Sequence, residues 1–335
     1  MKTRFFLAAL SLLAVGCSKN ENVSTPDVPV HAKAIQIGQN VQGLTRAVVA
    51  EGSNVTATVL MRDNSDSWMA FIAVKKNDIG GDGTLQGRAT VSVASFKAGT
   101  TQAVALNPSL YYNHNSSSEN AFLVAVAPDG NLVASGTVVA MKNVDGQQDV
   151  MYASEVNAGS ETIPTNPVNL SFAHLTTQLN FQMTLTPAAS DGEWKNQAVS
   201  VKSISIQNAQ LPRSVDAANG NVSWTASGSS LSVPNIANVG LSATAAKAGS
   251  PVMIMGGGKV IVDVVLTVGS SDLAFSNITI QDSANKDLIA GTAKSHLITL
   301  NVTEPSSATQ GEKTISATAT VAEWEVGTNG SAELN

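Results

Sequence analysis

The feature that most constrains the fold of this chain is an alternation of apolar and polar residues with a period of two. Segments that keep this period are 89–96, 199–206, 259–268 and 314–324. Because successive side chains of a β-strand point to opposite faces, the period predicts half-buried antiparallel strands. Glycine-rich and Asp-Gly turn sequences separate these segments. The sequence therefore predicts an all-β fold built from sandwiches.

The length of 335 residues predicts two domains in tandem. The best boundary is the segment 160–168, SETIPTNPV, where two prolines lie between strand-like stretches. We therefore expect an N-terminal domain at 34–163 and a C-terminal domain at 164–335. The chain has a single cysteine, so no intramolecular disulfide can form and each domain depends on its own apolar core.

That single cysteine, Cys17, directly follows a targeting segment. Lys2 and Arg4 supply a positive start, an apolar run follows, and the small residue Gly16 precedes the cysteine. The apolar run is too short to span a bilayer and has the length of a signal sequence, which predicts a signal peptide at 1–16. The arrangement resembles the lipobox of bacterial lipoproteins, although Ala14 stands where leucine is usual. The alternative is an ordinary secretory signal with a cysteine near the cut by chance.

The resemblance to the lipobox implies cleavage between Gly16 and Cys17 and attachment of lipid, including palmitate, to Cys17. Each buried lipid methylene adds roughly 0.8 kcal/mol of membrane affinity, so several acyl chains hold a soluble domain on a membrane. The residues that follow are polar and include Pro26 and Pro29, which predicts a lipidated tether at 17–33.

The charge balance excludes one class of partner. The formal net charge is −6, and removal of Lys2 and Arg4 takes the mature chain to −6 − 2 = −8. An acidic surface repels phosphate, so we expect no nucleic-acid partner and no electrostatic attraction to anionic lipid heads.

No motif in the sequence predicts catalysis. The histidines lack metal-ligand spacing, and no nucleophile elbow or phosphate loop is present. The histidines are His31, His114, His174 and His296. We therefore expect no enzyme activity, no cofactor and no metal.

A succession of motifs through the body of the chain resembles the fimbrillin family, the subunits and accessory proteins of type V pili in Bacteroides-type bacteria. The clearest marks are Phe172 and His174, which form an F-x-H element, and a late strand that ends in Trp324. The motifs, in order, occupy 149–154, 168–185, 250–268, 291–302 and 315–327. The resemblance implies two β-sandwich domains of transthyretin-like type.

The resemblance also implies a route of export and activation. Lipoprotein export to the outer membrane would be followed by an arginine-specific protease that removes the N-terminal segment and the first strand. In this sequence Arg46 and Ala47 occupy the matching place, after the strand-like stretch that begins at Ala34. The removable first strand would thus be 34–46. The alternative is that Arg46 is a surface residue that follows an edge strand.

The segment 314–324 is the candidate donor strand that would fill the groove of a neighbouring subunit. It alternates and is uncharged on one face, and residues 304–313 offer a hinge before it. The donor residues are Ile315, Ala317, Ala319, Val321 and Trp324. The alternative is that this segment closes its own C-terminal domain.

The sequence thus predicts a structural subunit of a cell-surface fimbria that supports adhesion. Its partners would be other fimbrial subunits, an arginine-specific protease, the outer membrane through its lipid, and a host or bacterial surface ligand. Two alternatives stay open, namely a fimbrial tip adhesin or anchor and a surface glycan-binding lipoprotein. A glycan platform would need aromatic side chains on one face. The candidates are Trp68, Tyr111, Tyr112, Trp194 and Trp224.

Overall fold

The structure of the protein is a computed structural model that describes most of the chain after the predicted tether. The described residues are 33–40, 54–64, 67–68, 75–78, 85–88, 90–97, 104–114, 116–133, 136–188, 192–194, 197–306 and 315–323. The predicted signal peptide, Gly16, Cys17, Arg46, Ala47 and Trp324 lie outside these ranges.

The secondary-structure elements of the described residues, whose bounds follow, are β-strands, which confirms the all-β prediction. The strands of the first half are β1 Ile37–Asn40, β2 Asn54–Asp63, β3 Lys75–Asp78, β4 Leu85–Arg88, β5 Val91–Lys97, β6 Ala105–Asn107, β7 Ala121–Ala127, β8 Asn131–Leu132, β9 Val138–Ala140, β10 Met151–Gly159 and β11 Val168–His174.

The second half contains longer strands joined by short ones. They are β12 Thr177–Thr186, β13 Val199–Ile206, β14 Pro212–Asp216, β15 Asn221–Trp224, β16 Leu231–Ser232, β17 Val239–Gly240, β18 Ala246–Lys247, β19 Val252–Ile254, β20 Ile261–Val268, β21 Ser271–Thr279, β22 Lys294–Thr303 and β23 Ile315–Glu323.

The strands form five sheets. A seven-stranded sheet has the order β1-β11-β10-β7-β2-β5-β6, and a two-stranded sheet joins β3 and β4. Two five-stranded sheets have the orders β18-β12-β22-β23, with β19 also on β12, and β16-β13-β20-β21, with β17 also on β13. A four-stranded sheet has the order β15-β14-β9-β8. Most pairings are antiparallel, but β1–β11 and β12–β22 are parallel.

The buried apolar side chains form two separate cores. The first contains residues from 35 to 172 together with Val215 and Ala217, and the second contains other residues from 179 to 319. β11, which the predicted boundary assigns to the C-terminal domain, pairs with β1 and β10, and its Val168, Leu170 and Phe172 are buried in the first core. We therefore propose that the boundary lies after His174, because the hydrogen bonds change from one core to the other there.

The chain passes from the first core to the second within two residues, Leu175 and Thr176, which we call the junction. Leu175 N donates to Val150 O (2.8 Å) on the first core, whereas Ala293 N, on the second, donates to Thr176 O (3.0 Å). β11 runs towards the junction and β12 runs away from it. The start of β11 and the end of β12 therefore each lie at the end of their own core that is farthest from the junction. We call these ends the first tip and the second tip.

One hairpin crosses the junction in the other direction. β14 and β15 follow β13 of the second core, but β14 pairs with β9 of the first half. Val215 and Ala217 are buried in the first core, and the Tyr152 hydroxyl donates to Ala217 O (3.1 Å). The two cores are thus connected by a covalent junction and by a shared sheet.

Candidate functional site

The first described segment, 33–40, is fully built into the first core. On one side Ile35 N donates to Leu110 O (2.8 Å) and Val104 N donates to Ile37 O (2.9 Å). On the other side β1 pairs in parallel with β11, and Val168 N donates to Gln36 O (2.9 Å). The segment therefore has backbone partners along both edges.

From Ala34 to Ile37 the side chains alternate between solvent and the core. Ile35 is 4% exposed and Ile37 is 0% exposed, whereas Ala34 before them and Gln36 between them are exposed. Removal of the segment would therefore uncover two apolar pockets, two residues apart, in a groove lined by unpaired backbone groups. Whether the chain is cut at Arg46 stays a prediction, because that residue lies outside the described ranges.

β23 lies at the edge of its sheet and pairs with β22 along its whole length, from Ile315 opposite Val302 to Glu323 opposite Lys294. Ala317 and Ala319 are buried in the second core, and Ile315 is half-buried against it. Of the other predicted donor residues, Val321 lies in the strand with its side chain undescribed, and Trp324 lies outside the described residues. In the single chain β23 thus pairs within its own core.

The backbone of β23 also forms hydrogen bonds with the facing sheet, and the sequence did not predict this contact. Gln281, beyond the end of β21 in the facing sheet, accepts a hydrogen bond from Ala319 N (2.8 Å) and donates to Ala317 O (3.3 Å). Next to this point β21 and β23 enclose an open groove whose lining includes Phe275, Ile278 and Ile315. Among the described residues, the backbone of β23 is therefore hydrogen-bonded to β22 along its length and to Gln281 of the facing sheet.

The removable segment begins at the first tip, and the candidate donor is attached at the second tip. Lys33 O accepts a hydrogen bond from Tyr112 N (3.1 Å) at the first tip, where the segment 33–40 begins. Glu304 N donates to Thr186 O (2.9 Å) at the second tip, from which residues 305–314 lead to β23. The arrangement suits head-to-tail contact between copies, because the donor emerges from one tip and the groove opens at the other.

The comparisons with known proteins identify the family. The family model described as fimbrillin-like matches residues 45–324. The chain belongs to the fimbrillin-like family. The match extends to the end of the candidate donor segment, and it begins one residue before Arg46. A comparison with curated proteins gave no match.

Solved structures with a similar fold come from Bacteroides species. A candidate cell adhesion protein of Bacteroides uniformis has a TM-score of 0.50 and 15% identity, over 87% of this fimbrillin-like chain and 98% of its own. A fimbrial protein of Bacteroides vulgatus has a TM-score of 0.43 and 12% identity, over 86% and 99% of the two chains. A candidate cell adhesion protein of Bacteroides eggerthii has a TM-score of 0.45 and 13% identity, over 89% and 97%. At 15% identity, the likeness to the Bacteroides uniformis protein shows that the two proteins share a fold.

The described histidines of this fimbrillin-like chain occupy three separate environments. His114 pairs with Glu161 at the first tip, with Nδ1 2.9 Å from Oε1. At the junction His174 Nδ1 lies 2.9 Å from the Asp149 carboxylate, and burial raises the pKa of Asp149 although His174 opposes that shift. His296 is buried in the second half and accepts a hydrogen bond from Gly291 N (3.2 Å) through Nε2.

The described part of the chain offers no cluster of three or more His, Asp or Glu side chains placed to hold a metal ion. It also contains no helix long and apolar enough to cross a membrane.

The aromatic side chains proposed as a glycan platform are divided between the two cores. Tyr112 is buried in the first core, where its hydroxyl donates to Ala158 O (2.7 Å). Trp194 is buried in the second core, and Trp224 lies on the crossing hairpin. Trp68 packs on the first core and faces the guanidinium of Arg62, which lies 4.9 Å from the ring centroid. These contacts are those of core and packing residues.

Proposed function

We propose that this fimbrillin-like chain is a structural subunit of a cell-surface fimbria and supports adhesion. It is exported as a lipoprotein anchored to the outer membrane through Cys17, cut after Arg46, and polymerised by strand donation. The family membership supports the fimbrial assignment. The observation that carries the mechanism is the segment 33–40, which is one complete strand of the first core and precedes the only arginine between it and Arg62.

The groove left by cleavage explains why subunits would associate. Loss of the segment leaves the edges of β11 and of residues 104–112 without their partners, and it uncovers the pockets of Ile35 and Ile37. An unsatisfied buried backbone group costs about 1–3 kcal/mol. A strand from a second copy restores both the hydrogen bonds and the apolar contact.

The candidate donor fits this groove less well than the original strand does. Its buried face offers Ile315, Ala317 and Ala319, so any two neighbouring positions supply at most one large side chain. A buried isoleucine replaced by alanine costs roughly 2–5 kcal/mol. The original strand, which is also part of the same chain, therefore outcompetes the donor until a protease removes it. Polymerisation is thus dependent on cleavage.

The direction of the donor follows from the attachment points. A released β23 stays attached at the second tip through residues 305–314 and must enter the next copy at the first tip. Ile315 then lies near the first tip, and the donor runs towards the junction. It therefore pairs in parallel with β11, in the same direction as β1. Each donation leaves a free groove at one end and a free donor at the other, so the contact builds a fibre.

The fold also explains how one arginine could be selected. Arg62, Arg88 and Arg213 lie in strands β2, β4 and β14. Arg62 also forms an ion pair with Glu155 (2.9 Å), with its guanidinium over the Phe122 ring. A protease binds its substrate as an accessible extended segment, and backbone that is already paired in a sheet resists cleavage.

The test is digestion of the purified precursor with an arginine-specific protease, followed by N-terminal sequencing and electron microscopy. We expect a new terminus at Ala47 and the growth of fibres. The matched control is Arg46→Lys, which keeps the charge and removes the cleavage site. Cleavage at Arg46 without fibres, or resistance of Arg46, would favour the anchor or tip role, because an anchor keeps its lipid and a tip donates no strand.

A further inference from the structure

We propose that the loop 160–167 is a second contact between consecutive subunits, and that its Ile163 packs against the second tip of the copy that donates its strand. This inference rests on the proposed function, because it takes the direction of donation from it. It adds a contact surface on each copy that strand exchange by itself does not require.

Ile163 is the most exposed of the large apolar side chains that the structure shows as exposed. It is 79% exposed, whereas the next, Ile289, is 52% exposed. Exposed apolar side chains are common singly on protein surfaces. The case for a contact therefore depends on how Ile163 is held and on what lies opposite it.

The loop holds Ile163 in a fixed position. Ile163 O accepts a hydrogen bond from Ser160 N (3.0 Å), and Ile163 N donates to Ser160 Oγ (3.1 Å). Thr162 N donates to Ser117 O (3.1 Å), and Thr165 N donates to Ala158 O (2.9 Å). At Gly159, φ is +75°, and a Cβ there would lie 2.3 Å from Ile163 O. The backbone that carries the Ile163 side chain is therefore preorganised, which reduces the entropy lost on binding.

The loop lies where the donating copy must arrive. It connects β10 to the start of β11, and β11 begins beside Gln36, whose carbonyl accepts from Val168 N (2.9 Å). The entrance of the groove and the loop are thus parts of one surface, the first tip. A donor that enters the place that Lys33 occupied before cleavage brings the second tip of its own copy to this surface, since the donor is attached to that second tip through residues 305–314.

The second tip offers a surface of matching chemistry. Leu185 N donates to Ser242 O (2.7 Å), which places the end of β12 beside the loop 242–245. Pro187, Ala243 and Ala245 are exposed and Leu185 is half-buried, and the segments 185–188 and 242–245 carry no charge. The one charged residue of the loop 160–167, Glu161, is paired with His114 at 2.9 Å. The segments 185–188 and 242–245 can therefore approach the loop without bringing a charge of their own, and the nearby Glu304 carboxylate is satisfied by hydrogen bonds from Ala188 N (3.1 Å) and Trp194 N (2.8 Å).

The test compares Ile163→Ser with Ile289→Ser in the full precursor, cut with the arginine-specific protease. The quantity measured is the critical concentration for fibre growth, by sedimentation. Ile289 is the matched control because it is the same residue type, exposed, and near the junction, where the neighbouring Gly291 O accepts from Thr177 Oγ1 (2.6 Å). We expect Ile163→Ser to raise the critical concentration about tenfold, with cleavage and monomer melting temperature unchanged.

Ile163→Leu, which keeps an apolar side chain, should restore growth to the wild-type level. If the wild type forms fibres and Ile163→Ser grows like Ile289→Ser, the loop contact is overturned and strand donation stands. If the cleaved wild type forms no fibres at any concentration, the proposed function fails and the loop contact fails with it.

Discussion

At the scale of single residues, His296 is a titratable group with an environment that fixes its protonation. Its side chain is buried, and Nε2 accepts a hydrogen bond from Gly291 N (3.2 Å), which requires the neutral ring. Burial lowers the pKa of His296, and the positive charge of Lys294 lowers it further. Lys294 is the residue that pairs with Glu323 at the end of β23. A proton on His296 would therefore break its hydrogen bond with Gly291 N and add a second positive charge near Lys294, in the strand that pairs with the candidate donor.

This environment predicts an acid-sensitive fold. The unfolded chain binds a proton at His296 near its ordinary pKa of about 6.5, whereas the folded chain binds it only at lower pH. Stability is therefore full above about pH 6.5 and declines as the pH falls towards the lowered pKa of the folded state. Urea unfolding at a series of pH values should show the decline in the wild type. His296→Leu should lose about 1–3 kcal/mol at neutral pH, because Gly291 N is left unpaired, and should show a smaller decline as the pH falls, so that the two proteins differ less in acid. Equal pH dependence of the two proteins would contradict this account.

At the scale of elements, the proposed mechanism removes the segment 33–40 and donates β23 to another copy. The first is paired on both edges and buries Ile35 and Ile37, yet it would be discarded. The second lies at a sheet edge, and its described side chains that face the core are the small Ala317 and Ala319, which are buried, and Ile315, which is half-buried. This difference agrees with an exchange in which proteolysis removes the well-packed strand and a weakly packed strand replaces it.

A substitution in the segment 33–40 should lower the stability of the precursor but not that of the fibre. Ile37→Ala should destabilise the precursor by roughly 2–5 kcal/mol, because it leaves a cavity in the first core. The fibres grown after cleavage should have the same melting temperature as wild-type fibres, since the substituted residue is no longer present. Chemical denaturation of the precursor and calorimetry of the fibre provide the two values. Fibres weakened as much as the precursor would show that residue 37 stays in the assembly.

At the scale of the whole molecule, the crossing hairpin couples the two cores. Val215 belongs to a strand that follows β13 of the second core, yet it is fully buried in the first. β14 pairs with β9, so opening of one core breaks hydrogen bonds that hold the other. Among the described residues, the two cores are therefore held together by the crossing hairpin as well as by the junction.

The coupling predicts that the precursor unfolds in one transition. Val215→Ala should lower the free energy of unfolding by about 1–3 kcal/mol, and protection should fall together in both cores. Hydrogen exchange followed by mass spectrometry can report β7 and β12 separately. Loss of protection in β7 alone, with β12 unaffected, would show that the hairpin does not couple the cores.

Local patterns in the sequence predicted the fold class, the alternating faces of β20 and β23 and the family. They did not predict the parallel pairings of β1 with β11 and of β12 with β22, because the period of two is the same for either direction. The boundary fell before β11 in the prediction, since Pro164 and Pro167 mark a loop but not which core the next strand joins. The crossing of β14 and β15 and the contact of Gln281 with β23 depend on pairing between distant segments, which no local pattern encodes.

The central claim is that β23 leaves its own core to complete another copy, and a reversible lock on β23 tests it most directly. Thr299 and Thr318 lie directly opposite each other on β22 and β23, and Thr318 is exposed. Cysteines at these two positions should form a disulfide that holds β23 in place, because opposed antiparallel residues have Cα atoms about 4.5–5.5 Å apart. Cleavage after Arg46 would also remove Cys17, so that the two introduced cysteines would be the only thiols. After cleavage, the oxidised Thr299→Cys, Thr318→Cys protein should stay monomeric by light scattering, and addition of a reductant should start fibre growth. Fibre growth at the same rate in the oxidised and reduced protein would contradict the claim.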